Sequence, residues 1–191
     1  MYFKLNILKT SAIKLPELKK PIQLRRNVED IHAFAQVFVH REYDFNWLED
    51  VRRIVDGGAN VGFASLYFKT AFPEAQIHAV EPHPHNAEAF RKNTDHLEGI
   101  TFSQKALHHN GHVKLQLTDE GFGSNGFMTR DEASDNLVAD VETLSIGGIQ
   151  KAMEWEAIDL VKLDIEGGEQ ALFEANLEWM ESTRFIVLEF H

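Results

Sequence analysis

A glycine-rich turn between two carboxylates carries the clearest chemistry in this chain. Asp56 follows the β-favouring run Arg53-Ile54-Val55. Gly57, Gly58 and Gly62 then enclose Ala59-Asn60, and Phe63 to Phe68 continues at helical period. Such a turn lets backbone N–H groups approach a ligand at the positive end of the following helix. In an open α/β sheet, ligands bind outside the carboxyl ends of the strands, where this turn lies. Glu81 ends the next run, Gln76 to Val80, roughly twenty residues beyond the turn, where an acidic residue accepts ribose hydroxyls.

The turn departs from the dinucleotide fingerprint. Ala59 occupies the position of its middle glycine, and Asp56 places a negative charge where a pyrophosphate would sit. A ligand bearing an ammonium group suits Asp56 better. S-adenosylmethionine combines an amino acid end with a ribose and an adenine, which matches Asp56 together with Glu81.

Alternating strand and helix signals position these groups. Val28, Ile31, Phe34, Ala35 and Phe38 form one apolar helical stripe, followed by the aromatic connection Tyr43, Phe45, Trp47 and Leu48. Tyr43 reads as core or as a cover over the turn. A helix is expected from Pro84 to about His96, with proline near its start. Strands are expected at 53–56, 76–80, 100–107, 158–163 and 184–188, and helices at 149–156 and 169–180. This alternation implies βαβ units and a mostly parallel sheet. The rhythm breaks between His108 and Val141, where His112 to Leu117 reads as an added strand and 138–144 as extended. Gly121 to Gly126 reads as a flexible loop of the kind that is often functional. His83, His85, His108, His109 and His112 read as surface residues. Residues 1–28, with Lys9, Lys14, Lys19, Lys20, Arg25 and Arg26, read as a solvated basic segment ahead of one domain over 29–191.

Bulk properties narrow the function. The 191 residues are 43% hydrophobic and 26% charged, as expected of one soluble domain with a real core. A formal charge of −11 argues against broad nucleic-acid binding. The absence of cysteine removes disulfide and thiolate chemistry. No apolar run approaches a membrane span and no secretory leader is evident, so a cytoplasmic protein is expected.

Four stretches together carry a resemblance: Asp-Gly-Gly-Ala-Asn-Val-Gly from Asp56, Val-Glu-Pro from Val80, Val-Lys-Leu-Asp-Ile-Glu-Gly-Gly-Glu from Val161, and Leu-Glu-Phe-His from Leu188. The chain resembles the FkbM family of S-adenosylmethionine-dependent methyltransferases over 28–191, and the segment Asp164 to Glu169 is the family-specific part. The resemblance implies a Rossmann-like class I core with strand order 3-2-1-4-5. Class I enzymes usually add a helix and an antiparallel strand pair after the fifth strand, and that pair is expected to be missing after His191. The resemblance assigns Asp56, Gly57, Gly58, Ala59, Asn60 and Gly62 to the methionine end of the cofactor and Glu81 to the ribose. It assigns Lys105 and Ala106 to the adenine pocket, and Ser124 to a small polar position at the cofactor mouth.

Methyl transfer to a hydroxyl needs in-line positioning and removal of a proton. Asp164, at the end of the strand expected beside the turn, is the first candidate base. His191 is the second, because imidazole titrates near neutrality. Glu166 is a third site candidate, although Glu166 and Glu169 also suit a helix start, where the helix dipole stabilises acidic groups. No metal is assigned, since transfer from a sulfonium does not itself require one. The expected reaction is O-methylation of a sugar or another small metabolite, with homo-oligomerisation open and no nucleic acid or membrane partner. The rival readings are a non-catalytic methyltransferase-like binding module and a nicotinamide-dependent oxidoreductase.

Overall fold

The computed structural model describes residues 12–119, 127–130 and 137–189. Five strands, β3 (Arg53–Gly57), β4 (Gln76–Val80), β5 (Ile100–Ser103), β10 (Ile158–Leu163) and β11 (Thr183–Leu188), form one sheet in the order β11-β10-β3-β4-β5. Every neighbouring pair is parallel. Counted along the chain this is the expected order 3-2-1-4-5. The strands read as nearly continuous apolar runs because helices cover both faces of the sheet. Ile54, Ile77 and Leu160 meet Ala64 and Phe68 of α2 (Phe63–Ala71) on one face. Val55, Val161 and Leu163 meet Ile146 and Ile149 of α4 (Ile146–Ala152) and Trp179 of α6 (Glu178–Glu181) on the other. The helix α3 (Pro84–Thr94) joins the α2 side through Ala89, which packs with Val61 and Phe63.

The N-terminal region departs from the solvated segment expected of it. Strands β1 (Ala12–Ile13) and β2 (Ile22–Gln23) pair antiparallel, and Ile13, Ile22 and Leu24 are buried against Phe34, Val37 and Phe63. Asn93 of α3 fixes this piece: its Oδ1 accepts from Gln23 N at 2.7 Å, and its Nδ2 donates to the carbonyls of Gln23 at 3.2 Å and Val61 at 2.9 Å. The apolar residues, rather than the basic ones between them, decide where the segment goes. The stripe from Val28 forms α1 (Val28–Phe34) and runs on as a π-helix over Ala35–His40, ending at Arg41 with φ 57°.

Other boundaries also move. The run expected as one strand over 100–107 divides after Ser103, where Lys105 N donates to Ser103 O at 3.0 Å and turns the chain. Ala106–Leu107 becomes β6 of a second sheet, in the order β6-β9-β7-β8, with β7 (Lys114–Asp119), β8 (Phe127–Arg130) and β9 (Leu137–Leu144). The helix expected over 149–156 starts earlier, because the Ser145 side chain accepts from Gly148 N at 3.1 Å and caps it. The helix expected over 169–180 splits into α5 (Glu169–Phe173) and α6, with Asn176 between them at φ 56°. Asn tolerates that left-handed conformation better than most residues. His83 and His108 are buried rather than superficial, and His83 caps α3 by accepting from Asn86 N. No helix among the described residues is long and apolar enough to cross a membrane.

Candidate active site

The turn after β3 is pressed onto the end of β10. Gly58 has φ +68°, and a Cβ there would lie 1.6 Å from the Asp164 carbonyl oxygen. Only glycine fits a backbone that close in that conformation. The turn uses several of its own N–H groups: Ala59 N donates to Val80 O at 3.0 Å, Gly62 N to Ala59 O at 2.8 Å, and Asn60 N to Glu81 Oε2 at 2.9 Å. The turn is therefore braced against β4 and β10 by its own chain.

A buried ammonium lies beneath it. Lys162 is 3% exposed and stands in register with Asp56 on the neighbouring parallel strand, so both side chains share one face of the sheet. Its Nζ donates to the carbonyls of Gly57 at 3.1 Å and Gly58 at 2.7 Å. It also lies 3.4 Å from Asp56 Oδ1 and 3.5 Å from Asp164 Oδ2. Burial works to lower the Lys162 pKa, but Tyr43, Asp56 and Asp164 outweigh it and the net shift is upward. Tyr43 is itself pushed up to about 12, first by burial, against the lowering effect of Lys162. Its phenol thus stays protonated at neutral pH, where Asp56 and Asp164 are the anions that keep Lys162 charged; the contribution of Tyr43 enters only once the phenol ionises. Asp56 is fully buried, and its Oδ2 accepts from Ser65 Oγ of α2 at 2.6 Å.

Above this layer opens a cavity of ≈ 270 Å³. Its floor is the turn, Gly58 to Val61, with Lys162. Asp164, Glu166 and Glu189 supply an acidic wall from the ends of β10 and β11, while Gln36, Val37 and Tyr43 close the opposite side. Glu166 reaches the wall through a left-handed backbone, φ 50°, followed by Gly167 at φ 85°. Tyr43 fills both roles open to it, lining the cavity and packing its ring 5.3 Å from that of Phe68. The volume lies just under the roughly 300–1,000 Å³ of small-molecule sites, a size that suits one end of a ligand rather than a whole cofactor.

Glu81 lies at the flank of the turn and is 5% exposed. Its Oε1 accepts from His83 N at 2.9 Å and Asn86 Nδ2 at 3.2 Å, and its Oε2 holds Asn60 N. Burial raises its pKa despite these three donors and the more distant Lys162. A carboxylate offers about four lone-pair directions, so Oε2 has room for one further donor.

A family model described as the methyltransferase FkbM domain matches residues 56–191, most of the chain. The chain belongs to the FkbM methyltransferase family. It is 28% identical over 194 residues to methyltransferase sdnD of Sordaria araneosa, an alignment covering 85% of this chain and 75% of that protein. It is 25% identical over 163 residues to methyltransferase 1 of Beauveria bassiana (strain ARSEF 2860), covering 74% of this chain and 64% of the relative. The chain thus spans less than two thirds of this second relative.

Within this FkbM fold the residues singled out from sequence distribute unevenly. Gly58, Ala59, Asn60, Asp164 and Glu166 meet at the cavity. Asp56 does not line the cavity: its carboxylate turns inward, to Ser65 and Lys162. Gly57 packs under the turn, where an added Cβ would meet Leu107 Cδ1 at 2.5 Å, and Gly62 caps α2. Glu169 accepts from Ile165 N at 3.1 Å and braces the loop before α5. Lys105 pairs with Glu142 at 3.0 Å, and Ala106 is buried with Leu115, Leu117 and Val141, so neither lines the cavity. Ser124 and His191 lie outside the described residues. Lys162 and Glu189 also line the cavity, although the sequence motifs that contain them gave neither a role. Lys162 left one signal, a lysine inside the apolar run Leu160-Val161-Lys162-Leu163, which needs a buried anion opposite it.

The site fits S-adenosylmethionine on two counts. The acidic wall suits an ammonium and a sulfonium, and the spare acceptor capacity of Glu81 suits a ribose hydroxyl.

Proposed function

We propose that this FkbM methyltransferase uses S-adenosylmethionine to methylate a hydroxyl on a small, uncharged metabolite such as a sugar. The observation that carries the proposal is the acidic wall of Asp164, Glu166 and Glu189 standing directly against the glycine turn. When bound, the cofactor supplies an electrophilic methyl group on a positively charged sulfur. Asp164, Glu166 and Glu189 balance the charge of the cofactor's amino acid end and sulfonium, and Glu81 takes a ribose hydroxyl at Oε2. Asp164 receives the proton of the acceptor hydroxyl. Its carboxylate stands at the strand end and is only part-buried, whereas Asp56 is enclosed. The same wall repels carboxylate-bearing acceptors, because like charges juxtaposed at a site disfavour binding. A nucleic-acid acceptor is disfavoured further by the formal charge of −11.

The test is transfer of an isotope-labelled methyl group to a panel of neutral sugars and polyols, with matched carboxylated and amine acceptors. Transfer to a neutral hydroxyl is expected. Asp164→Asn should slow it by about a hundredfold or more, the usual contribution of a positioned base. Full activity in Asp164→Asn, or transfer confined to amines, contradicts the assignment.

A further inference from the structure

Lys162 makes more contacts than charge balance requires. A buried ammonium has three N–H donors to satisfy, and Lys162 directs two of them at the turn itself. The shortest of its contacts is to the Gly58 carbonyl at 2.7 Å, with Gly57 O at 3.1 Å and the carboxylates of Asp56 and Asp164 further off, at 3.4 and 3.5 Å. The three charged groups sum to one negative charge, so Lys162 does not cancel the acidity that the cavity presents. It adds a side-chain tie between the turn after β3, which forms the cavity floor, and Asp164 at the end of β10, where the backbone supplies one bond, Asp164 N donating to Gly57 O at 3.2 Å.

We propose that Lys162 is the positioning residue of this site, clamping the carbonyls of Gly57 and Gly58 and the carboxylate of Asp164 into one frame. The inference rests on the cofactor reading above, and it places the methyl donor and the base at a fixed separation. Methyl transfer is sensitive to that separation, since a misplacement of about 1 Å can cost roughly a hundredfold in rate. Lys162 acts through the turn and Asp164 rather than by taking part in the proton or methyl transfer.

Lys162→Met alone leaves the enclosed Asp56 carboxylate without its cation and is expected to be unstable. The informative variant is therefore Asp56→Asn/Lys162→Met, which removes both charges, with Asp56→Asn as its partner. Amide hydrogen exchange on the ligand-free proteins reads the turn directly, because Ala59, Asn60 and Gly62 all donate from it. In the double variant these amides should exchange roughly tenfold faster or more, while those of β4 and β5 keep their protection and Asp56→Asn alone keeps the turn protected. Calorimetry with S-adenosylhomocysteine should then show affinity roughly tenfold weaker or more in the double variant, because a turn that opens locally lowers the fraction of protein competent to bind. Wild-type protection of the turn in a folded double variant would overturn the proposal and reduce Lys162 to a counter-ion for Asp56. Failure of the wild-type protein to bind S-adenosylhomocysteine would overturn the cofactor reading instead, and the exchange comparison would still decide the role of Lys162.

Discussion

At the scale of single residues, the two adjacent glycines of the turn make different demands. Gly58 has positive φ and faces the rigid backbone of Asp164, whereas Gly57 faces the end of the Leu107 side chain. Gly58→Ala should destabilise the protein on the order of 3 kcal/mol or more, because strain and backbone clash combine. Gly57→Ala should cost clearly less, since a leucine terminus can shift; paired chemical denaturation curves give the comparison. Glu81 makes a pH prediction. Its folded pKa lies above the ordinary 4.5 because burial outweighs its hydrogen bonds. A ribose hydroxyl donates to the ionised form. Affinity for S-adenosylhomocysteine should therefore be full above the folded pKa and fall as pH drops through it, starting at a higher pH than for an exposed glutamate. Calorimetry across acid pH should show that slope in the wild type and a weaker, flatter profile in Glu81→Gln. The turn and Glu81 were legible in the sequence because glycine spacing and a strand-terminal acid are local signals. The inward turn of Asp56 was not. It follows from Ser65 and Lys162, whose contact with Asp56 depends on strand register and on the packing of α2.

At the scale of elements, Asn93 joins the N-terminal hairpin to the strand-turn-helix unit of the site through Gln23 and Val61. Asn93→Ala leaves the N–H and carbonyl of Gln23 and the carbonyl of Val61, whose bond is buried, without that partner. It should cost about 2 kcal/mol, within the usual penalty for unsatisfied buried groups. Hydrogen exchange should localise the loss to residues 12–24 and the turn, leaving β10 and β11 protected. The sheet order was legible because apolar runs separated by helical stripes admit few topologies. Two boundaries were not legible, for a common reason. Neither Ile100 to Leu107 nor 169–180 contains a glycine or proline to mark a break. The turn at Ser103–Lys105 and the left-handed Asn176 are imposed by the second sheet and by docking against the core, which override local propensity. The N-terminal hairpin escaped notice because each of its strands spans only two residues.

At the scale of the whole molecule, His78 ties acid stability to the sheet that carries the site. Its ring lies 2.8 Å from Thr101 Oγ1 and 3.0 Å from Ser103 Oγ, and burial lowers its pKa from 6.5 to about 4. A histidine held neutral in the fold contributes stability that is fully present above its unfolded pKa and is lost as pH falls from about 6.5 towards 4. The loss should be on the order of 3 kcal/mol across that window. Glu81 acts in the opposite direction, so the test is the difference between wild type and His78→Asn, in which the histidine slope alone disappears. Membership of the FkbM family establishes a methyltransferase fold, and the chemistry at its centre depends on whether the acidic cavity takes the methyl donor. Isothermal titration of the folded protein with S-adenosylhomocysteine measures this most directly. One site per chain is expected, with binding strongly weakened by Glu81→Ala. A folded wild-type protein that releases no heat and shows no ligand-induced shift in thermal unfolding would contradict it.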